Sequence, residues 1–243
     1  MKRILLLFCL AIVSSLPAMA VKWYLGFDFG YDYNDYSIET NYAYDMRYKG
    51  VGGISAGIPV QVDIKDWFAV RMDLQYLQKN HTMHRTHSYD MIYTNTCDHY
   101  LQLPVLLDFS FGGERVRGYA GVGGYVGCWL ASHRDGGTLS VTNAVTYLGG
   151  GYYEFDEYRE LDTKHDNRFD SGLAGNLGIR VKIDERMFFF AEAAVYYGLV
   201  STEKTKDLIA PTPRYNTTYS LQVGLMFSLD RQDYINHKTS KKQ

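Results

Sequence analysis

Residues 22–33 read KWYLGFDFGYDY. Every second position carries a large apolar or aromatic side chain: Trp23, Leu25, Phe27, Phe29, Tyr31 and Tyr33. Between them stand Tyr24, Gly26, Asp28, Gly30 and Asp32. Successive side chains of a strand point to opposite faces. The stretch therefore reads as a strand with one greasy face and one face mostly of acids and glycines. A transmembrane barrel strand has this signature, about 10 residues of alternation with lipid on one side and lumen on the other.

The pattern recurs seven more times. It appears at Gly53 to Ile64, Phe68 to Lys79, His99 to Phe111, Val116 to Leu130, Ser171 to Ile183, Phe188 to Leu199 and Tyr219 to Leu229. Short turns follow the second, fourth and sixth segments, around Lys65-Asp66, Gly112-Gly113 and Asp184-Glu185, and long polar loops follow the first, third, fifth and seventh. Outer-membrane barrels alternate short periplasmic turns with long external loops in this way. The expected fold is all-β, an eight-stranded antiparallel up-and-down transmembrane β-barrel over residues 21–229. A water-soluble lipocalin-like barrel is the rival and would turn the apolar face inward. Near-continuous apolar faces, opposed by Gly, Ser, Asn and charge, favour the membrane. So do Trp23, Trp67 and Trp129 near strand ends, where aromatic girdles sit.

The polar face predicts the interior. Asp28, Asp63, Asp73, Asp108 and Glu192 share it with Arg71, Arg117, Arg180 and Lys182. An Arg or Lys at the lipid midplane costs about 2–4 kcal/mol, so these groups are placed inside. Eight strands leave room only for side chains, and the expectation is a plugged lumen with ion pairs. Taking Gly112-Gly113 as a two-residue hairpin turn sets Phe111 opposite Glu114, Asp108 opposite Arg117 and Cys97 opposite Cys128. That register predicts an Asp108–Arg117 pair and a Cys97–Cys128 disulfide above the external membrane surface.

Residues 1–20 read as a secretory signal peptide. Lys2 and Arg3 precede the apolar run ILLLFCLAIV, and Ala18-Met19-Ala20 supplies a cleavage site. The run is too short to span a bilayer as a helix. The chain holds 25 basic and 27 acidic residues, which is no nucleic-acid footprint. Cys97 and Cys128 are the cysteines left after the signal, in an exported chain where disulfides persist. Residues 230–243 read as a disordered periplasmic tail.

The segment YLQLPVLLDFSFGGERVRGYAGVGGYVGCWL, residues 100–130, resembles the Bacteroidota outer-membrane β-barrel domain often called PorT-like. In that family a "YLeiPlll" strand precedes a "pYvgaGpy" strand. GISAGIPVQVDIKDWFAVRMDLQYLQK is similar to its "GfsaG" and "peLlYsqkG" strands, and FDSGLAGNLGIRVKI and FFFAEAAVYYGLVST to its sixth and seventh. The resemblance spans about Val21 to Leu229. It implies a small outer-membrane barrel with no catalytic motif, and no cofactor is expected. The family's namesake is linked to type IX secretion and gliding, which makes an accessory secretion role the specific alternative.

Residue spacing offers other candidate chemistry. His81, His84 and His87 form an H-x-x-H-x-x-H run, and closely spaced imidazoles can hold Zn or Cu. That run fits a helical turn better than a strand, and a solvated polar loop is the plainer reading. Ser132, His133 and Asp135 cluster at the top of the fifth segment, as a lipid-modifying barrel enzyme would need. Adjacent strand residues diverge, so no enzyme is expected. The third loop, His133 to Asp170, carries Tyr147, Tyr152, Tyr153, Phe155 and Tyr158. Tyr-rich loops suit recognition of a protein or glycan, although tyrosines packed on strands extended above the membrane fit equally, and Gly149-Gly150-Gly151 could turn an extra hairpin. The partners expected are outer-membrane lipid and lipopolysaccharide, a protein or glycan at the external loops, and secretion-system components.

Overall fold

The opening alternation becomes β1 (Lys22–Ile38). The computed structural model describes residues 22–38, 45–86, 90–139, 151–204 and 213–229. The segments read as signal peptide and tail lie outside these, as do His87, Tyr147, Gly149 and Gly150. After β1 come β2 (Met46–Lys65), β3 (Phe68–Arg85), β4 (Tyr93–Gly112), β5 (Val116–Leu139), β6 (Tyr152–Arg159), β7 (Phe169–Asp184), β8 (Met187–Gly198) and β9 (Arg214–Ser228). All pairings are antiparallel, and β9 returns to β1, from Tyr24 opposite Ser228 to Ile38 opposite Arg214. The wall thus closes as β1-β2-β3-β4-β5-β7-β8-β9. Closure removes the unpaired edges that a lone sheet would present.

The architecture is the expected one, with nine strands where eight were read. The ninth is β6, which stands outside the closed wall. It pairs with the upper part of β5, Ser132–Leu139, above the point where β7 leaves β5 at Cys128 opposite Phe169. Most strands also run past the alternating segments at their upper ends. Apolar alternation marks only the stretch that touches lipid, and beyond it both faces are polar.

Side-chain direction follows the period of two. Along β1, Trp23, Leu25, Phe27, Phe29, Tyr31 and Tyr33 are exposed on the outer surface, while Gly26, Asp28, Asp32 and Asn34 are buried inside. The other strands repeat this, with Ile54 and Ile58 on β2, Leu107 and Phe109 on β4, Leu177 on β7 and Leu221 on β9 all outward, Leu221 64% exposed. Between Trp23 and Tyr33, and on the corresponding stretches of the other strands, no described outward position is charged. Soluble proteins do not carry a continuous apolar belt of this size. The lipocalin-like alternative would need the opposite orientation.

The β4–β5 register corrects the sequence-based one. Phe111 lies opposite Gly118, Asp108 opposite Gly121 and Leu101 opposite Cys128. The connection is longer than two residues, because Gly112 takes a φ of +115° and the Gly113 N–H donates to the Val116 carbonyl at 3.1 Å. Glu114 and Arg115 thereby stay in the solvent-facing turn. The four-residue shift preserves parity, so no side chain changes face. It also matches the outer surface better, with Leu103 opposite Val126 and Leu107 opposite Val122.

Candidate functional site

The lumen is built from the inward parity of every wall strand. At mid-height Arg71 on β3 pairs with Glu192 on β8 at 2.6 Å and with Asp108 on β4 at 3.4 Å. Tyr119 Oη donates to the same Glu192 carboxylate at 2.8 Å and Asn176 Nδ2 at 3.1 Å. The Arg71 guanidinium also lies over the rings of Tyr119 and Phe190. Beside it, the Asp28 and Asp73 carboxyls fill the space over Gly57, where a Cβ would lie 2.5 Å from Asp73 Oδ1. Glycine at 57 is what admits two acids at this level.

One tier higher, Lys79 Nζ meets Asp170 at 2.6 Å and sits over the rings of Tyr100 and Tyr125, 4.6 and 5.0 Å from their centroids. Trp129 stacks on Tyr100 with centroids 6.0 Å apart and planes 2° apart. Trp129 is therefore a lumen residue, 4% exposed, and not part of an outer girdle as the sequence suggested. Its odd number shares the inward parity of Tyr119 and Tyr125. Trp23 and Trp67 do stand on the outer surface at the short-turn end.

The expected Asp108–Arg117 pair is not formed. Asp108 is engaged by Arg71, while Arg117 lies lower, opposite Gly112 on one side and Arg180 on the other. Arg180 instead reaches Asp63 at 3.8 Å, and Lys182 sits exposed at the mouth with Glu185 at 3.2 Å. The Cys97–Cys128 disulfide is likewise overturned, and both thiols are free. The register puts Cys97 beside His133 and Cys128 beside Leu101, roughly 13 Å apart along the strands, where a disulfide needs Cα atoms within about 7 Å.

The histidine run is also split. β3 continues to Arg85, so His81 points inward, stacked on Tyr36 at 4.1 Å, and His84 points outward, stacked on Tyr93 at 5.8 Å. Among the described residues no group of three or more potential ligands could hold a metal. Ser132 and His133 diverge as their adjacency requires. Ser132 is buried inside, whereas His133 Nε2 meets Asp156 of β6 at 2.7 Å on the outside.

Above the apolar belt the wall is uneven. On one side the pairing continues from β2 through β6, with Met46 opposite Arg85, His84 opposite Tyr93, Tyr93 opposite Gly137, and Leu139 opposite Tyr152. Opposite, β7 and β8 stop pairing at Gly172 and Gly198. The result is a raised crest, flanked at one end by β1 and β9, which also pair upward to Ile38 opposite Arg214; its last strand, β6, exposes Tyr152, Tyr153 and Tyr158, the last 74% exposed. At its foot, Arg159 pairs with Asp166. In the following loop Asp162 accepts from the Lys164 N–H at 2.9 Å and from His165 at 2.7 Å, contacts that hold its carboxyl below the usual carboxylate range.

Sequence reasoning missed Lys79, Tyr100 and Asp170 as lumen residues. Parity could have found Lys79, which continues the inward series Arg71, Asp73, Gln75. The apolar alternation ends beside it, so the sequence marks it only as a strand end.

A closed antiparallel wall, apolar outside and ionic within, satisfies every wall strand's backbone without water and defines a membrane-spanning β-barrel. The chain belongs to the outer membrane protein beta-barrel domain family, whose model matches residues 17–203. No curated protein matches it in sequence. Among solved structures it is similar to Neisserial surface protein A (NspA), with 13% identity, 86% of this chain and 99% of that one covered, and a TM-score of 0.45. It is similar to OprG from Pseudomonas aeruginosa, with 12% identity, 86% and 96% coverage and a TM-score of 0.49. The outer membrane protease OmpT from Escherichia coli aligns with 7% identity, 88% and 100% coverage and a TM-score of 0.48.

Proposed function

We propose that this outer-membrane barrel is a closed, rigid mount for a recognition surface, the crest of β2–β6, and that its partner is a protein or glycan outside the cell. The carrying observation is the β5–β6 hairpin, which stands beyond the closed wall with Tyr152, Tyr153 and Tyr158 exposed. Tyrosine offers a large contact area at low entropic cost. In this reading the chain is exported by a signal peptide cleaved after Ala20, sits among outer-membrane lipid and lipopolysaccharide, and has no catalytic role. The test replaces Tyr152, Tyr153 and Tyr158 with Ser and measures binding of whole cells to glycan and protein arrays. Binding by the parent and loss in the variant, with the barrel still folded, is expected. Equal binding by both would sink the reading.

An accessory role in type IX-like secretion, with membership of the PorT-like branch, is the second reading. It is favoured by the concave mouth at the short-turn end, lined by Arg117, Arg180 and Lys182. Loss of a class of secreted proteins from a deletion strain would support it, and an unchanged secretome would count against it.

A further inference from the structure

The short-turn mouth of the lumen opens as a bowl of about 900 Å³. Its strand positions carry more cations than carboxylates. Lys22, Arg117, Arg180 and Lys182 face in from β1, β5 and β7, with Asp63 on β2 and Asp184 at the end of β7 as the carboxylates among them. Lys22 lies directly opposite Asp63, and Arg180 reaches Asp63 at 3.8 Å while donating to Gln61 Oε1 at 3.2 Å. Asp66, Glu114 and Glu185 lie on the rim turns, and Glu185 engages Lys182. Higher up, Asp108 and Glu192 are committed to Arg71.

The register then makes an unusual demand. Arg117 and Arg180 are direct cross-strand neighbours on the same inward face. Like charges directly opposed destabilise a strand pair. Arg180 is 8% exposed, and the Nε atoms of both arginines are buried without a hydrogen-bond partner among the described residues. Guanidinium forks match planar oxyanions in bidentate geometry, and a partly buried site strengthens the attraction.

We propose that the mouth binds an oxyanion, a phosphate or a carboxylate group, between Arg117 and Arg180. Outer-membrane barrels turn their short connections to the periplasm, so the ligand would come from that side. This inference does not rest on the recognition reading. The test is calorimetric titration of the purified full-length barrel in zwitterionic detergent at low salt, with inorganic pyrophosphate in one arm and citrate in the other. Saturable binding is expected in at least one arm, and the arm that binds identifies the chemistry. R117Q, changed at the half-buried member of the pair, is expected to weaken binding at least tenfold, while K49Q on the outer surface above the belt leaves it unchanged. No saturable binding of either anion at millimolar concentration would overturn the proposal. So would equal weakening in R117Q and K49Q.

Discussion

Replacing Arg71 with Met asks whether the lumen is a dry plug or a wet channel. Arg71 is buried and holds two carboxylates, Glu192 at 2.6 Å and Asp108 at 3.4 Å. Removing one partner of a buried ion pair leaves uncompensated charge and costs about 3–5 kcal/mol. Glu192 would keep its bonds from Tyr119 and Asn176, which softens the loss, but Asp108 would keep no salt bridge among the described residues. Loss of the contacts to Tyr119 and Phe190 adds to it, since each cation–π contact is worth about 0.5–2 kcal/mol. The expected destabilisation of R71M is therefore at least about 3 kcal/mol. The assay is reversible urea unfolding of the barrel in phospholipid vesicles, followed by tryptophan fluorescence. In the double variant R71M/D108N the carboxylate left without its cation is gone, and about half or more of the loss should return as a coupling term. If R71M lies within about 1 kcal/mol of the parent, the range of a solvated pair, the lumen is wet and the plug does not exist.

Three further outcomes follow from the outer surface and the register. L177R places a cation on the apolar belt and should cost about 2–4 kcal/mol, read by the same unfolding assay, while L177I should cost less than about 1.5 kcal/mol. Cys97 and Cys128 should both take an alkylating reagent in denaturant without reductant, seen as two added masses; labelling that appears only after reduction would restore the disulfide. Lys79→Met should orphan Asp170 and destabilise the upper tier by about 3–5 kcal/mol, and an effect below about 1 kcal/mol would mean that Asp170 is solvated.

The barrel was legible because its outer solvent is uniform. Lipid demands an apolar side chain at each outward position, so the period of two at Trp23 to Tyr33 or Phe68 to Tyr76 reads directly as a face. Where that demand ends, at Gln78 on β3 and His99 on β4, the pattern ends too, although the strands continue. This is why β6 and the top of β5 show in the sequence only as a long loop with room for an extra hairpin at Gly149-Gly150-Gly151, and the β5–β6 pairing agrees with that hairpin. Ion-pair partners were less legible, since parity states which face a charge takes but not its height. Height depends on register, and register on a turn whose length the Gly112-Gly113 pair left open between two and more residues. Arg117 was placed on the correct face at the wrong level. The cysteine pairing failed for the same reason.

The most direct test of the account returns to the opening stretch. Single cysteines from Trp23 to Tyr33, in a C97S/C128S background, would carry a nitroxide spin label in vesicles. Collision with oxygen, which concentrates in lipid, would be compared with collision with a water-soluble nickel chelate. The account requires oxygen access to peak at Leu25, Phe27, Phe29 and Tyr31 and to fall at Gly26, Asp28, Gly30 and Asp32. A flat profile, or one with the two series exchanged, would contradict it.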